Sequence, residues 1–469
     1  MSFHDLIGRL NPWWSSPAAR PHAEQARRNA FESLRLRLEN GDFGRAQVLL
    51  GPRRVGKSTL LRQLAAHFLD KDWLPANLTY FDFKDDRSDG ARELEDVLQA
   101  KPSGFSEDRP RLLLLDEVTR APKWDLALKR LVDEARATAP SKRTRILVTD
   151  SAASLVRAGA KESLEGRVDE LPIHPLTFRE TLRFLGGPED DERGTFARLP
   201  GVLESYLASG GMPEHVANRD LELAWERIRS DIADKAIARD LSRDGVDVER
   251  ATSLYRIIVE SSGGLFDATN RAQDLSADGR PTDARTVRRW VELFEQACLL
   301  GRLSPWHPGM RSKVSKPSRA LRARSKLYAE DHGFIPAFSA FPSPMSNGEV
   351  RGRVLETVVF NHIRDLKDKR RDFRLGYFRE DDDLEIDFVL DFGDRAIGIE
   401  VTSSRAPEKK LARAAKLPDR VRMLHTTVVH GGSLQIKDGE RVSSWPIDGF
   451  LLDPNDCVER SLQWARKYR

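Results

Sequence analysis

Short apolar runs alternate with helix-like segments between residues 46 and 185. Four of these runs have the length and residue types of β-strands, and they are Ala46–Leu50, Leu78–Phe83, Arg111–Leu115 and Arg145–Thr149. The third run is apolar almost throughout, as expected for a strand buried on both faces. Strands separated by helical segments are typical of a parallel sheet. The pattern therefore predicts an α/β domain over 46–185, preceded by a lead-in segment over 1–45.

Beyond residue 185 the pattern becomes mainly helical. Residues 186–250 predict helices after an exposed stretch rich in Gly and acidic residues, and residues 251–346 predict three helices and a pair of short strands. Residues 347–469 predict a helix followed by strands, a second helix and a last strand. The strands expected in this final part are Arg374–Arg379, Leu384–Asp391, Arg395–Thr402 and Val421–Val429.

Composition narrows the class of protein. The chain has 469 residues, of which 39% are hydrophobic, and 77 Lys and Arg against 73 Asp and Glu give a net charge of +4. This balance excludes wholesale disorder and a uniformly basic nucleic-acid coat protein. Cys298 and Cys457 are too few for a disulfide framework. No apolar run approaches the ~18 residues that span a bilayer, and no signal peptide is evident, so we expect a cytoplasmic protein without membrane contact.

The strongest chemical signal is a phosphate-binding motif. Residues 51–58 read Gly-Pro-Arg-Arg-Val-Gly-Lys-Ser and match G-x-x-x-x-G-K-[ST] between a strand and an amphipathic helix. Gly51 and Gly56 allow the backbone to turn N–H groups toward a phosphate. Lys57 is expected to reach the β- and γ-phosphates, and Ser58 to bind Mg²⁺. The residues expected around the nucleotide are Gly51, Pro52, Arg53, Arg54, Val55, Gly56, Lys57, Ser58 and Thr59.

Two later strands also end in polar side chains. Asp116 and Glu117 follow the apolar run 112–115 and lie 65 residues after Gly51. Asp116 is predicted to hold Mg²⁺, and Glu117 is predicted to polarise the attacking water as a general base. Ser151, after the strand at 145–149, is the candidate for positioning that water. A simple loop cap is the alternative for Ser151.

Together these elements resemble the nucleotide site of an AAA+ ATPase. Further stretches resemble the prokaryotic AAA+ ATPases that carry a C-terminal restriction-endonuclease-like domain, and they are Gly166-Arg167, Pro175–Phe178, Gly210–Glu214, Tyr328–Asp331, Gly352–Glu356 and Glu385–Asp387. The resemblance implies an α/β P-loop core with a helical lid at 186–250, ATP and Mg²⁺ as cofactors, and a homo-oligomer. In that family a Gly usually stands at the position of Asp150.

The resemblance also implies an arginine that senses the γ-phosphate or completes the site of a neighbouring subunit. Arg167 is the candidate, because a guanidinium is always charged and stabilises spread negative charge. A surface ion pair is the alternative for Arg167, and Arg239 is a rival candidate for the catalytic role.

The helix order in 251–346 resembles a winged helix-turn-helix. Arg285, Arg288 and Arg289 then lie in the N-terminal half of the recognition helix, where groove contacts occur. The stretch 311–326 between the wing strands has seven basic and no acidic residues, and its first four basic residues are Arg311, Lys313, Lys316 and Arg319. Such a loop suits DNA phosphates. The alternatives are a solvated loop or a winged helix that serves oligomer contacts alone.

The last part, 347–469, resembles the core of PD-(D/E)xK nucleases. The resemblance places metal ligands at Glu356, Asp387 and Glu400. The lysine of the pattern is replaced by Thr402, which is neutral and does not stabilise charge on a phosphorane as an ammonium does. Lys409 and Lys410 on the next helix are nearby substitutes along the chain. We therefore expect no nuclease activity.

The sequence as a whole predicts a Mg²⁺-dependent ATPase of the AAA+ class that is oligomeric and acts on, or is regulated by, DNA. Two alternatives stay open. One is an ATP-gated, metal-dependent nuclease. The other is a signalling or scaffold ATPase that binds no DNA and has a degenerate nuclease-like domain.

Overall fold

The computed structural model divides the chain into two compact units. One unit comprises Met1–Ile173 and Gln296–Cys298, and the other comprises His174–Glu295 and Leu299–Arg469. The residues that the structure describes are 3–21, 26–40, 44–71, 73–84, 94–150, 164–186, 201–218, 220–241, 246–277, 279–307, 324–341, 343–379, 385–404, 408–414, 425–431 and 441–467.

The first unit is built around a five-stranded sheet. Its helices and strands are α1 (Phe3–Leu10), α2 (Asn29–Asn40), β1 (Ala46–Leu50), α3 (Lys57–Asp70), β2 (Leu78–Asp82), α4 (Leu94–Gln99), β3 (Leu112–Asp116), α5 (Trp124–Ala137), β4 (Arg145–Asp150) and β5 (Val168–Pro172). The strand order is β2-β3-β4-β1-β5, and every neighbouring pair is parallel. The predicted α/β fold with a parallel sheet is thus confirmed, and β5 is a fifth strand that the sequence pattern did not indicate.

The order of the strands decides which residues meet at the sheet edge. Because all five strands run the same way, their carboxyl ends lie along one edge, where parallel sheets form their sites. β4 lies between β1 and β3, and its last residue, Asp150, pairs in register with Leu50. Asp82 pairs with Asp116 in the same way. Three aspartates therefore end the adjacent strands β2, β3 and β4 at the same sheet edge as the loop that follows β1.

The lead-in segment covers β2, which is one of the two outer strands of this sheet. The side chain of Asn11 donates to the carbonyl of Tyr80 (2.8 Å) and accepts from its N–H (2.6 Å), so it pairs with β2 as a strand would. The indoles of Trp13 and Trp14 each donate to the carbonyl of Leu78 at 2.9 Å. Satisfying the open hydrogen-bonding groups of an outer strand removes a place where another chain would pair.

The second unit begins with helices. They are α6 (Phe178–Phe184), α7 (Val202–Ser209), α8 (Pro213–Val216) and α9 (Leu221–Ser230), which continues as a π-helix over Asp231–Leu241. Next come α10 (Val248–Glu260), α11 (Ala268–Ser276) and α12 (Ala284–Gln296), followed by the antiparallel pair β6 (Leu300–Leu303) and β7 (Lys326–Ala329). This is the helix and strand order that the sequence pattern predicted for 251–346.

The unit ends in a mixed sheet. Its elements are α13 (Phe334–Phe338), α14 (Gly348–Lys369), β8 (Arg374–Arg379), β9 (Glu385–Asp391), β10 (Ala396–Thr402), α15 (Glu408–Ala414), β11 (His425–His430), β12 (Val442–Pro446), α16 (Ile447–Leu452) and α17 (Pro454–Lys467). The strand order is β12-β11-β10-β9-β8. The last expected strand, 421–429, is found as β11, and β12, α16 and α17 were not predicted. No helix in the described ranges is long and apolar enough to cross a membrane.

Candidate functional site

The loop between β1 and α3 has the backbone of a phosphate-binding loop. A Cβ at Gly51 would lie 2.3 Å from the carbonyl oxygen of Ile173, so only glycine fits there. Arg54 and Gly56 both have positive φ angles, 64° and 98°, which turn successive N–H groups to the inside of the loop. The loop leads directly into α3, whose first residue is Lys57 and whose N-terminus attracts anions.

Lys57 is buried within its own loop. Its Nζ donates to the carbonyl oxygens of Gly51 (2.7 Å) and Pro52 (2.8 Å), and the residue is 6% exposed. Burial lowers the pKa of Lys57, and the nearby carboxylates of Glu117, Asp116 and Asp150 offset part of that effect. The partners of the ammonium are neutral main-chain carbonyls. A phosphate oxygen is a stronger acceptor because it carries charge, so the ammonium gains by exchanging these carbonyls for a phosphate.

Asp116 is held by hydroxyl groups from both neighbouring strands. Thr149 Oγ1 on β4 donates to Asp116 Oδ1, and Tyr80 Oη on β2 donates to Asp116 Oδ2 at 3.3 Å. Burial raises the pKa of Tyr80 and so keeps its hydroxyl protonated. A carboxylate with fixed orientation at the strand end suits an outer ligand of Mg²⁺. Sequence reasoning missed Tyr80 and Thr149, and no motif marks them; only their places on strands that flank β3 do.

Glu117 is buried beside Asp116 and has a cationic partner. Its backbone is left-handed, with φ of 55°, and its N–H donates to Thr149 Oγ1 at 3.2 Å. Its carboxylate lies 2.7 Å from the ammonium of Lys84, and Arg120 approaches at 3.9 Å. A carboxylate that is only 3% exposed and paired with Lys84 is chemically suited to accept a proton from water once Lys84 moves aside.

Arg167 lies at the other edge of the sheet from the loop. Its carbonyl accepts the N–H of Ala46, the first residue of β1, so about 13 Å of strand separates it from Leu50. Its guanidinium forms a two-pronged pair with Asp133, at 2.8 and 3.2 Å. The structure thus places Arg167 out of reach of the phosphate site of its own chain. Ser151 and the side chain of Arg239 lie outside the described residues.

The three arginines proposed to contact DNA share one face of α12. Arg285, Arg288 and Arg289 are all exposed, while the opposite face of the helix buries Val287, Trp290, Val291 and Phe294. The basic residues expected in the wing, namely Arg311, Lys313, Lys316 and Arg319, lie outside the described residues.

The three carboxylates predicted as C-terminal metal ligands are interleaved with lysines. Glu356 is on α14, Asp387 on β9 and Glu400 on β10. Lys410, on α15, places its Nζ 2.9 Å from Glu400 and 3.6 Å from Asp387, so it enters the cluster from the helix in place of Thr402. Lys326, the first residue of β7, is also among these carboxylates. Among the described residues, no group of three or more His, Cys, Asp or Glu side chains is arranged to hold a metal ion.

Burial and the close approach of charged groups shift the pKa values of two carboxyl groups in this cluster. Burial raises the pKa of Glu356 to about 7, and the neighbouring Asp387 adds to the rise. Burial also opposes the charge of Asp387, yet Lys410 and Lys326 bring the pKa of Asp387 below its usual value. The pKa of Glu356 is therefore higher than that of Asp387, so Glu356 gains a proton before Asp387 as the pH falls.

Three parts of the chain match known protein families. Residues 44–182 match the family described as AAA domain, and residues 201–344 and 351–450 match two domains of unknown function, DUF8612 and DUF4143. Residues 44–182, which contain the parallel sheet and the loop 51–56, are thus similar to an AAA domain. The match to DUF4143 does not assign a nuclease, and the match to DUF8612 does not assign a winged helix.

The relatives found by sequence are uncharacterized proteins. One from Haemophilus influenzae is 26% identical over 381 residues, covering 80% of this chain and 86% of that protein. One from Mycobacterium tuberculosis is 24% identical over 466 residues, covering 95% and 92%. Among solved structures, a Walker-type ATPase of Pyrococcus abyssi is 15% identical with a TM-score of 0.41, and covers 69% of this chain and 99% of its own. The ORC2 protein of Aeropyrum pernix is 14% identical with a TM-score of 0.39, covering 73% and 98%.

The crowding of carboxylates at the sheet edge predicts a dependence of stability on pH. Burial and the charge of Asp116 raise the pKa of Asp82 from 3.8 to about 6. Because the folded state holds the proton more tightly than the unfolded state, this group makes stability fall as the pH rises from about 4 to about 6. Asp82→Asn removes the charge and keeps an acceptor for the N–H of Lys84. It should therefore raise the midpoint of thermal unfolding at pH 7 and leave it nearly unchanged at pH 4, without Mg²⁺ or nucleotide.

The matched control is Asp70→Asn, because Asp70 is well exposed and pairs with Arg20. If both variants change the midpoint of thermal unfolding equally at pH 7, the charge of Asp82 does not destabilise the folded state and the prediction is wrong.

Proposed function

We propose that the protein is a Mg²⁺-dependent ATPase. The observation that carries the proposal is the arrangement at one sheet edge, where the loop 51–56 and the buried Lys57 face the strand end with Asp116 and Glu117. The AAA domain match over 44–182 supports adenine as the base, since the loop itself contacts phosphates and does not read a base.

The donor set of the site fits ATP and Mg²⁺. The N–H groups of Arg53 to Thr59 and the N-terminus of α3 bind the phosphates, and Lys57 exchanges its carbonyl partners for phosphate oxygens. Ser58 and Asp116 are the residues that would hold Mg²⁺, which when bound neutralises charge between the β- and γ-phosphates. Glu117 accepts the proton of the attacking water after its ion pair with Lys84 opens. Ser151 remains the proposed group for positioning this water.

Two variants test the ATPase directly. Lys57→Ala should abolish turnover and weaken nucleotide binding, because it removes the ammonium that grips the phosphates. Glu117→Gln should keep binding but lower kcat by about a hundredfold or more, because an amide does not accept the proton. Turnover is measured by phosphate release and binding by a fluorescent ATP analogue.

Lys71→Ala is the matched control, since Lys71 is the exposed residue at the end of α3. If the unaltered protein hydrolyses no ATP, with or without DNA, the proposal is wrong.

We also propose that the ATPase acts as a homo-oligomer in which Arg167 completes the site of a neighbouring subunit. Two observations support this: Arg167 does not reach its own phosphate site, and its pair with Asp133 holds the guanidinium at the surface of the first unit, with 26% of the side chain exposed. An arginine supplied in trans typically raises the hydrolysis rate by about 10³ or more.

Mixing of inactive subunits distinguishes this role from a local one. Arg167→Ala should lower turnover by at least about a hundredfold with nucleotide binding retained. A mixture of Arg167→Ala and Lys57→Ala proteins should regain activity, since a site with Lys57 then meets a neighbour with Arg167. Arg130→Ala, which breaks only the exposed pair with Glu95, is the control. Failure of the mixture to regain activity would contradict a role in trans.

The remaining organisation of the chain is also proposed. We assign residues 1–45 to a lead-in segment, 46–185 to the ATPase domain, 186–250 to a helical lid, 251–346 to a winged-helix domain and 347–469 to a PD-(D/E)xK-like domain. The three helices α10 to α12 with the hairpin β6–β7 support the winged helix, and the helix–strand order from α14 to β11 supports the last fold.

DNA is the partner that this arrangement favours. The exposed arginines of α12 stand at the start of the third helix, which is the groove-contacting position in a winged helix. The basic stretch 311–326 follows between the wing strands. We propose that DNA bound here regulates the ATPase.

Removing the three arginines tests this surface. The triple variant Arg285→Ala, Arg288→Ala and Arg289→Ala should weaken binding of duplex DNA. The slope of log affinity against log salt should also become shallower, by about 0.9 for each phosphate that the variant no longer neutralises. Binding is measured by fluorescence anisotropy at several salt concentrations.

The control removes the same charge elsewhere on the second unit, through Arg227→Ala, Arg256→Ala and Arg271→Ala. If the protein shows no salt-sensitive DNA binding, or if both triple variants behave alike, a scaffold ATPase without DNA becomes the better description.

A further inference from the structure

Lys326 is a buried lysine among carboxylates. The residue is 3% exposed, and its Nζ lies 2.7 Å from Glu385, 3.2 Å from Glu356 and 3.6 Å from Asp387. In the sequence, Lys326 is the last residue of the basic stretch 311–326, and the pattern of that stretch predicts a solvated side chain. In the structure it is the cation around which three acidic side chains, from α14 and β9, are gathered.

Lys410 serves the other side of the same cluster. Its Nζ lies 2.9 Å from Glu400 and 3.6 Å from Asp387, and it also donates to the carbonyl of Val401. Asp387 thus stands between two ammonium groups, and one of its oxygens accepts the N–H of Val401 at 2.8 Å as well.

Further groups surround the carboxylates of the cluster. Tyr328 Oη donates to Glu356 at 2.7 Å. The backbone at Gly263 also lies close to Glu356, since a Cβ at Gly263 would be 2.9 Å from the Glu356 carboxylate. Arg379 approaches Glu385 at 3.7 Å. Four carboxylates therefore share three cationic groups, a hydroxyl and a backbone N–H.

This set does not fit the divalent ion that the nuclease resemblance implies. A Mg²⁺ ion needs carboxylate oxygens at about 2.0–2.1 Å in near-octahedral order, and the ammonium of Lys326 already lies among Glu356, Glu385 and Asp387. A buried ammonium is stable only with excellent partners of opposite charge, which these carboxylates supply. Metal and lysine thus compete for the same oxygens.

We propose that Lys326 and Lys410 take the place of a divalent metal ion in this cluster. The C-terminal module is then held together by its own ion pairs and does not cleave phosphodiester bonds with metal. The cluster instead ties the strand β7 to α14 and to the sheet at β9.

Counting bound Mn²⁺ by electron paramagnetic resonance tests the proposal on the full chain without nucleotide. The unaltered protein and Asp387→Asn should bind the same number of Mn²⁺ ions, because no ion depends on Asp387. Lys326→Met should bind one more ion, since Glu356, Glu385 and Asp387 lose the ammonium that lies among them, and the double variant Lys326→Met with Asp387→Asn should lose that ion again. Lys326→Arg keeps the charge and should behave like the unaltered protein.

Two results overturn the proposal. One is a smaller number of bound Mn²⁺ ions in Asp387→Asn, which does not require the lysine variant to fold. The other is a soluble, folded Lys326→Met protein that gains no Mn²⁺. Neither result depends on ATP turnover, because Ser58 and Asp116 are unchanged in every variant.

Discussion

The close approach of Gly51 to the carbonyl of Ile173 is the constraint on which the nucleotide site depends. It allows β1 to run between β4 and β5 and still turn at once into the loop, so that Lys57 opens α3 directly behind the strand. The strand order, with β4 between β1 and β3, brings Asp150 and Asp116 to the same sheet edge as the loop. Without a glycine at residue 51, the chain would have to leave the sheet at a different angle, and the lysine would not fold back into the loop.

The lysines of the two units have partners of different charge. Lys57 is bound by neutral carbonyls of its own loop, and such partners are readily replaced by a phosphate because the phosphate brings the opposite charge. Lys326 and Lys410 are bound by carboxylates, which already supply that charge and leave nothing for an anion to improve. The chemical identity of the side chain is the same in each case. Its partners decide whether the ammonium binds a ligand or stabilises the fold.

The accuracy of the sequence predictions follows how continuous the apolar pattern of each strand is. The apolar strands β1 to β4 were placed within one residue at each end, because a strand covered on both faces must be apolar throughout. The two strands that were missed, β5 and β12, are outer strands with one neighbour each, and the pattern of β5 is weakened by the exposed Glu170 and Pro172. In β12 the polar residues Ser443 and Ser444 interrupt the apolar pattern, although both are buried in the structure.

The sequence by itself determined the strand–loop–helix at residues 46–70, the pair Asp116 and Glu117, and the order of the three helices α10 to α12 with the hairpin β6–β7, because each of these depends on neighbouring residues. Only the tertiary structure decided the hydroxyl partners of Asp116, the distance of Arg167 from its own phosphate site and the partners of Lys326. Those partners are far apart along the chain: Glu356 lies 30 residues from Lys326, and Tyr80 lies 36 residues from Asp116. Local patterns carry no information about such pairs, since folding alone brings them within hydrogen-bonding distance.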